Sequence, residues 1–398
     1  MSQPPVASVL PPGPRQFEAL AAALEGTGPA LCPISPDLPE PALRRLLEAL
    51  APGAVQTADG VRARDGGVPV AEGTAVLVAT SGSTGEPKIV ELSAAALRHS
   101  AAATLARVGA RPGERWLCCL PTSHIAGVQV LVRAMVGGTE PVFLPRFDAA
   151  AVDAADAAHL ACVPTQLRRL LEAGADLARF RSILLGGAAA PEDLVAEARR
   201  RGARLFTTYG MSETCGGCVY DGVPLDGVRA KVGADGRIRL AGPMLFSGYR
   251  LRPELTAAAR DGEWFVTPDL GAFDDRGRLR VRGRADDVIN TGGEKVVAGE
   301  VAAVLSRHPG VRDVVVVGRP DPEWGERVTA VIVPDGAGAD GDGAHGGAPG
   351  LAELRAWVRR TLPAYAAPHE VEVVAELPML PSGKPDRERL RRATVSSA

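Results

Sequence analysis

The stretch TSGSTGEPK, residues 80–88, decides which fold this chain adopts, and it directly follows the apolar run VLVA at residues 76–79. We interpret the apolar run as a buried strand and the stretch after it as a loop at the strand's exit. Glycines let backbone N–H groups approach an anion closely, the hydroxyl side chains donate hydrogen bonds, and Lys88 adds a positive charge. These residues therefore predict a flexible polyphosphate-binding loop.

The common phosphate-binding pattern G-x-x-x-x-G-K-[ST] does not fit these residues. Counted from Gly82, Pro87 stands where the second glycine belongs, and Ile89 follows Lys88 where a Mg²⁺-binding hydroxyl belongs. Pro87 also removes an amide donor that the helix start of such a loop would present. The stretch is therefore a phosphate loop of another kind or, in the simpler alternative, a polar surface loop.

Three further motifs follow in the chain: TTYGMSET at residues 207–214, GRADD at 283–287 and PSGKPDR at 381–387. In this order, and with residues 80–88, they resemble the signature set of the adenylate-forming superfamily. That superfamily contains acyl-CoA synthetases, peptide-synthetase adenylation domains and luciferases. The resemblance runs over about residues 76–391. Four ordered motifs are much more specific than one loop rich in glycine and hydroxyls.

Length and charge restrict the class of protein further. A chain of 398 residues is long enough for two domains, one of them large. The formal net charge of −2 gives no reason to expect nucleic acid or an anionic membrane surface as a partner. The first residues lack the features of a signal peptide, and no apolar run reaches the roughly 18 residues of a membrane helix. We expect a soluble, cytoplasmic protein without membrane insertion.

The six cysteines are scattered along the chain, which predicts buried thiols in a reducing compartment rather than a disulfide framework. Cys215 and Cys218 have the spacing of a redox or zinc pair, but no second pair of ligands follows them. We interpret these two as small residues in the wall of a pocket, with a metal or redox site as the alternative.

The order of predicted elements indicates an α/β protein. After helices at residues 17–25 and 40–50, strands and helices alternate between residues 76 and 208. This alternation implies a largely parallel sheet covered by helices. One helix is expected to begin at the cap Ser93 and to end near Val108.

The pattern changes in the second half of the chain. Residues 228–282 are punctuated by glycine and β-like, and a smaller α+β unit follows. We predict a large N-terminal domain of residues 1–285, with parallel sheets and a β-rich subdomain, and a small mobile α+β C-terminal domain of residues 286–398. Residues 335–350 have no apolar periodicity and predict a disordered loop.

The resemblance implies that the reaction is carboxylate activation. The carboxylate attacks the α-phosphate of ATP, and the acyl-adenylate then passes its acyl group to the thiol of CoA. The partners implied are ATP, Mg²⁺, CoA and a small-molecule carboxylate, with no nucleic acid, and a homodimer is allowed. The residues that correspond to the family's β- and γ-phosphate loop are Thr80, Ser81, Gly82, Ser83, Thr84, Gly85 and Lys88. The family usually has glycine after this lysine, where the chain has Ile89.

The motif at residues 207–214 corresponds to the part of the family's site that holds adenine and the metal. Tyr209 is expected to stack on adenine, and Glu213 to bind Mg²⁺. Ser212 replaces a usual threonine and can still donate to the α-phosphate or the acyl carboxylate. The remaining nucleotide-binding residues predicted here are Gly210, Met211 and the opposing wall of Gly186, Gly187 and Ala188. A simple strand-to-loop turn is the alternative for the two glycines.

The C-terminal motifs imply the remaining roles. Asp269, in the context TPD where the family has TGD, should accept from the ribose hydroxyls, and Arg284 should contact ribose and phosphate. Lys384 is expected to bridge the substrate carboxylate and the α-phosphate as the main catalytic residue. In this family the small domain turns about a hinge, here Asp286. The other orientation presents a loop that lines the pantetheine channel, formed here by Gly292 and Gly293.

Two stretches indicate the substrate: LPTSHIAGVQVLVR at residues 120–133 and TYGMSETCGGCVYDGV at residues 208–223. They look like the o-succinylbenzoate–CoA ligases of actinobacterial menaquinone biosynthesis. His124 matches the family's histidine near the acyl pocket, and Arg133 is a candidate partner for the substrate's second carboxylate, with Ser123 and Gln129 as polar helpers. The alternatives are another aryl- or fatty-acyl-CoA synthetase, a stand-alone amino-acid adenylation enzyme, and a nucleotide-binding module without turnover.

Overall fold

The structure is a computed structural model that describes residues 3–81, 87–335, 348–380 and 385–392. Most of the loop predicted at residues 335–350 therefore lies outside the described residues. Among the described residues, contacts divide the chain into two compact units. The first comprises Met1–Ala190, Leu194–Lys231 and Arg239–Val266, and the second comprises Pro191–Asp193, Val232–Ile238 and Thr267–Ala398. The division predicted between residues 285 and 286 stays a prediction.

The helices follow the predicted order closely. Their bounds are α1 (Pro14–Glu25), α2 (Glu40–Leu50), α3 (Ala94–Val108), α4 (Ile125–Val136), α5 (Ala149–Ala154), α6 (Pro164–Glu172), α7 (Glu192–Arg200), α8 (Pro253–Ala258), α9 (Ala298–Leu305), α10 (Leu351–Val358) and α11 (Arg387–Arg392). The predicted cap of α3 is confirmed, because the Ser93 hydroxyl accepts from the Ala96 amide at 3.1 Å. Gly109 ends this helix with a φ of 66°.

The strands are more numerous than the sequence pattern indicated. They are β1 (Val6–Val9), β2 (Leu31–Ile34), β3 (Ala54–Thr57), β4 (Gly60–Ala63), β5 (Thr74–Ser81), β6 (Pro87–Ser93), β7 (Trp116–Cys118), β8 (Val142–Phe143), β9 (His159–Cys162), β10 (Ser182–Leu185), β11 (Leu205–Met211), β12 (Gly216–Tyr220), β13 (Val223–Pro224), β14 (Arg229–Val232), β15 (Arg237–Ala241), β16 (Gly248–Tyr249), β17 (Arg260–Asp261), β18 (Trp264–Phe273), β19 (Leu279–Arg284), β20 (Val288–Thr291), β21 (Glu294–Val297), β22 (Val311–Asp321), β23 (Gly325–Pro334) and β24 (Glu370–Val373).

Two large sheets form the first unit. One has the strand order β16-β6-β5-β2-β1-β3-β4, and the other has the order β13-β12-β11-β10-β9-β7-β8. The middle strands of both sheets are parallel, as predicted, and antiparallel strands lie at their edges. Buried side chains of both sheets, of α3 and of α4 belong to one apolar cluster. Helices α3 and α4 therefore join the two sheets through a common core.

The remaining strands form two smaller sheets. One has the order β14-β15-β18-β17 with β19 on β18, and the other has the order β21-β20-β23-β22 with β24 on β23. Alternating valines of β22 separate two apolar clusters: Val316 packs with α9 and α10, and Val315 packs with Leu390 of α11. Because successive side chains of a strand point to opposite faces, helices cover both faces of this sheet. The predicted α+β character of the C-terminal region is confirmed.

Candidate active site

Strands β5 and β6, which flank the predicted phosphate loop, pair with each other in antiparallel register. Thr80 pairs with Lys88, and the Thr80 hydroxyl donates to the Lys88 carbonyl oxygen at 3.1 Å. Ile89, at the position where the family usually has glycine, is a buried residue of β6. Ser81 is described by its backbone only, and the predictions for Gly82, Ser83, Thr84 and Gly85 fall on residues 82–86, which lie outside the described residues.

The structure brings Lys88 and Glu213 together through Tyr249. The Lys88 ammonium lies 4.2 Å from the centre of the Tyr249 ring, and the Tyr249 hydroxyl donates to Glu213 Oε1 at 2.8 Å. Burial and the nearby carboxylate raise the pKa of Tyr249, so the phenol is protonated at neutral pH and acts as the donor. The Phe246 amide donates to the Glu213 carbonyl oxygen at 2.8 Å, which fixes the backbone of the glutamate.

A short 3₁₀ turn, Ser212–Thr214, places Glu213 between the antiparallel strands β11 and β12. The Thr214 hydroxyl accepts from the Met211 amide at 2.9 Å and lies 2.7 Å from the Gly216 carbonyl oxygen. The hydroxyl thus closes the turn on both sides. The Ser212 side chain is buried in the same turn. Ser212 and Glu213 therefore lie in one fixed turn after Met211, and their roles toward the nucleotide and the metal stay predictions.

Gly210 lies against the backbone of β12, opposite Gly217. A Cβ atom at this position would be 2.0 Å from the Gly216 carbonyl oxygen and 2.7 Å from the Gly217 Cα atom. Both obstacles belong to the opposite backbone, which no rotamer change can remove. A side chain at residue 210 would therefore displace the strand that follows Glu213.

The predicted adenine wall lies at the carboxyl end of β10. A Cβ atom on Gly186 would be 2.3 Å from the Thr208 hydroxyl, and Gly187 has a φ of 84°. The glycines directly follow β10, and Tyr209 lies in β11, the parallel strand that pairs with β10. The local packing and backbone conformation are sufficient to explain why glycine occupies both positions. The role of Gly186, Gly187 and Ala188 beside adenine therefore stays a prediction.

In the second unit, Asp269 and Arg284 form a cross-strand pair of β18 and β19. Asp269 is buried, and its carboxylate lies 4.0 Å from the Arg284 guanidinium. Arg284 donates to both oxygens of Asp286, at 2.8 and 2.7 Å, which lowers the pKa of Asp286. The Thr267 hydroxyl accepts from the Asp269 amide at 3.1 Å and holds the acid in place although proline precedes it. The two predicted ribose contacts therefore lie side by side.

Gly292 and Gly293 form the two-residue turn between β20 and β21. Their φ angles are 58° and 84°, and Thr291 pairs with Glu294 on either side. A two-residue turn with two positive φ angles matches the twist of the flanking strands, and these angles favour glycine at both positions. The Gly292 amide donates to the Trp324 carbonyl oxygen at 2.9 Å. The function of this turn toward pantetheine stays a prediction.

The prediction for Lys384 falls on residues 381–384, which lie outside the described residues. The helix that follows, α11, is attached to the predicted hinge. Arg391 donates to Asp287 at 2.6 Å, and the Arg387 guanidinium lies 3.4 Å from the same carboxylate. Asp287 is buried, so this contact fixes the segment that follows the lysine motif.

His124 is the residue before α4, and its side chain is half-buried. Gly127, in the first turn of the helix, has the Pro121 carbonyl oxygen 2.3 Å from the position of a Cβ atom. The close contact between this turn and the preceding loop explains the glycine. Gln129 is buried next to Gly216, while Ser123 is half-buried. The place of His124 near the acyl pocket stays a prediction.

Arg133 lies in the core. Its guanidinium stacks on Trp116 at 4.4 Å from the ring centre, only 5% of the residue is exposed, and it interacts electrostatically with the buried Tyr220. Trp116 lies at the N-terminal end of β7, whereas residues 120–133 follow the C-terminal end of this strand. These contacts give Arg133 a packing role, and they offer no support for its pairing with a substrate carboxylate.

A buried Ser–His–Glu arrangement lies next to this arginine. His159 contacts the Ser182 hydroxyl at 2.8 Å and Glu114 Oε2 at 3.1 Å, and its ring stacks on Trp116. His159 and Ser182 are fully buried, so a substrate cannot reach the hydroxyl. Burial lowers the pKa of His159. We assign this arrangement to stability.

The cysteines are free and buried, as predicted. Burial raises the pKa of Cys218 to about 12, so its thiol is protonated at neutral pH and is a poor nucleophile. Cys215, with a φ of 51°, caps the turn that holds Glu213. The surroundings of Cys215 and Cys218 therefore favour a structural role for both residues.

The glutamate site fits Mg²⁺. Glu213 offers a partly exposed carboxylate that Tyr249 links to Lys88 of the predicted phosphate loop. Among the described residues, no group of three or more His, Cys, Asp or Glu side chains could hold a metal ion. A single carboxylate is sufficient when phosphate oxygens and waters supply the other ligands, which is how Mg²⁺ is usually held with a nucleotide.

In the described parts of the chain, no helix combines the length and the apolar character needed to cross a bilayer.

Comparison with known families gives two matches. Residues 56–250 match the AMP-binding enzyme family, and residues 300–384 match the AMP-binding enzyme C-terminal domain. The probable 2-succinylbenzoate–CoA ligase of Mycobacterium tuberculosis H37Rv is 43% identical over 90% of this chain and 95% of its own. A feruloyl-CoA synthase of Amycolatopsis is 35% identical over 80% of this chain and 69% of its own.

Solved structures give a similar result. The o-succinylbenzoate CoA synthetase of Bacillus subtilis, in complex with its acyl-adenylate intermediate, has a TM-score of 0.83 and 27% identity and covers 99% of this chain and 89% of its own. The same synthetase with ATP and a magnesium ion has a TM-score of 0.81 and 26% identity, covering 98% of this chain and 89% of its own.

Proposed function

This chain belongs to the AMP-binding enzyme family, and from that premise we propose that it is an AMP-forming acid–thiol ligase for 2-succinylbenzoate. The succinyl carboxylate attacks the α-phosphate of ATP and releases pyrophosphate. The thiol of CoA then attacks the acyl carbon, AMP leaves with the bridging oxygen, and 2-succinylbenzoyl-CoA forms. The product suits menaquinone biosynthesis.

One observation on this chain carries the proposal. Lys88, from the predicted phosphate loop, and Glu213, from the predicted metal site, converge on the two sides of Tyr249. A positive charge and a carboxylate held together in this way can bind the polyphosphate and its Mg²⁺ as one unit. Bound Mg²⁺ would neutralise phosphate charge as the leaving pyrophosphate develops. The identity of the acid rests on the M. tuberculosis relative, because this relative and the chain match over nearly their full lengths.

The remaining roles are proposals by position. Lys384 approaches the α-phosphate during adenylation, and Asp269 with Arg284 binds the ribose. Asp269 and Arg284 are already adjacent across the β18–β19 ladder, which supports a shared ligand. Turning of the C-terminal domain would exchange Lys384 for the Gly292–Gly293 turn. We propose the cytoplasm as the site of action, since ATP and CoA are available there; a homodimer stays a prediction.

The proposal is tested by incubating the full chain with ATP, Mg²⁺, CoA and 2-succinylbenzoate and identifying the thioester by mass. Benzoate, ferulate, a fatty acid and an amino-acid mixture serve as competing acids. We expect pyrophosphate release and thioester only, or by far fastest, with 2-succinylbenzoate. Preference for ferulate would replace the proposed substrate but keep the reaction, and absence of pyrophosphate with every acid would refute the proposal.

A further inference from the structure

Tyr249 occupies a position that the sequence motifs did not single out. Its hydroxyl donates to Glu213 Oε1 at 2.8 Å. Its aromatic ring contacts Lys88, whose ammonium lies 4.2 Å from the ring centre. Among the ion pairs of the described residues, none joins Lys88 to Glu213 directly. The aromatic side chain is therefore the physical link between the two charged groups.

The ring is held rigidly from several sides. Tyr249 pairs with Val90 of β6, its amide donates to the Thr256 hydroxyl at 2.8 Å, and the Phe246 ring lies 4.9 Å away. Only 7% of Tyr249 is exposed. The next residue, Arg250, is buried and donates to the carbonyl oxygens of Leu50 and Pro69. Because the backbone and the ring are both fixed, the position of the hydroxyl is fixed as well.

The two contacts have different chemical consequences. A cation over an aromatic face is held in place without a carboxylate bound to its N–H donors, so the Lys88 ammonium stays available to an anionic ligand. A hydrogen bond to one carboxylate oxygen orients the Glu213 side chain, as partners of metal-binding carboxylates generally do. Tyr249 thus separates the lysine and the glutamate instead of letting them neutralise each other.

We propose that Tyr249 is a positioning residue that sets the distance between the polyphosphate lysine and the Mg²⁺ carboxylate. This inference rests on the proposed function, because it assigns a task within the same site. The hydroxyl serves the metal, through Glu213, and the ring serves the phosphates, through Lys88. The two tasks can be separated by substitution.

The experiment compares Tyr249→Phe and Tyr249→Leu in the full chain. Pyrophosphate release is measured against free Mg²⁺ and against ATP, and thermal unfolding is recorded for each variant. Tyr249→Phe keeps the ring, so we expect a several-fold higher Mg²⁺ concentration for half-maximal rate with little change in the KM for ATP at saturating Mg²⁺. Tyr249→Leu should raise both quantities. Tyr365→Phe, at an exposed tyrosine, is the matched control and should change neither.

Two results would overturn the proposal: an unchanged Mg²⁺ dependence in Tyr249→Phe, or equal losses in both variants that follow their thermal stability. Calorimetric titration with a non-hydrolysable ATP analogue, with and without Mg²⁺, keeps this test independent of turnover. If the wild type releases no pyrophosphate, the proposed function fails. The Mg²⁺-dependent part of nucleotide affinity, lost in Tyr249→Phe or retained, then still decides the role of Tyr249.

Discussion

Substitution of Gly210 by alanine is the sharpest structural perturbation of the candidate site. The added Cβ atom would lie 2.0 Å from the Gly216 carbonyl oxygen, whereas real Cβ atoms essentially never approach a neighbour closer than 3.0 Å. One strand of the β11–β12 pair must therefore move by about 1 Å, the scale at which misplacement costs about 100-fold in rate. Overpacking of this kind destabilises a protein by about 1–3 kcal/mol.

The displaced segment carries Glu213, so we expect Gly210→Ala to lower pyrophosphate release by about 100-fold and to raise the Mg²⁺ requirement. The rate is measured by coupled pyrophosphate detection at temperatures well below unfolding, and stability is measured by urea titration. Gly350→Ala is the control, because a Cβ atom at Gly350 meets nothing within 4 Å. Wild-type rate and stability in Gly210→Ala would refute the geometry of this hairpin.

Three further predictions concern other parts of the chain. Lys384→Ala should reduce the rate of adenylation by about 100- to 1,000-fold, in line with about 2.7–4 kcal/mol for the loss of one transition-state donor. Lys231→Ala, at an exposed lysine, is the control and should leave the rate unchanged. Equal rates in the two variants would contradict the catalytic role of Lys384. His159 has a lowered pKa, so its contribution to stability is full above the unfolded pKa of about 6.5 and is lost as the pH falls below it. Urea titrations from pH 8 to 5, about one to two units on either side of that pKa, should show the free energy of unfolding falling in the wild type and falling less in His159→Gln. If the two proteins lose stability in parallel, His159 is not the cause. Gly292→Ala places a Cβ atom 2.8 Å from the Trp324 ring at a φ of 58°, so thioester formation should fall while pyrophosphate release stays, and the opposite pattern counts against the pantetheine assignment.

Much of the fold could be predicted because buried strands and capped helices have local signals. The helix at residues 40–50 and the helix from the cap Ser93 to Val108 are observed within the bounds that the sequence indicates. Strand β6 was not predicted, since its partner β5 comes before the loop and the pairing is a tertiary feature. The antiparallel edges of both large sheets escaped the sequence pattern for the same reason.

The candidate site was predicted as a set of motifs but not as an arrangement. The contact of Lys88 with Glu213 through Tyr249 depends on strand β16 joining the edge of the first sheet, which no local pattern reveals. The pair GY at residues 248–249 offers a local signal, because glycine before an aromatic residue permits close packing, here against Thr256. For Arg133 the sequence indicates a candidate partner for the substrate's second carboxylate, whereas its neighbours Trp116 and Tyr220 place it in the core and give that pairing no support.

Oxygen transfer tests the central claim most directly. The full chain is incubated with ATP, Mg²⁺, CoA and 2-succinylbenzoate whose carboxylates carry ¹⁸O, and the AMP is analysed by mass. If the carboxylate attacks the α-phosphate and the thiol then attacks the acyl carbon, each AMP retains one labelled oxygen. Unlabelled AMP formed alongside the thioester would contradict an acyl-adenylate.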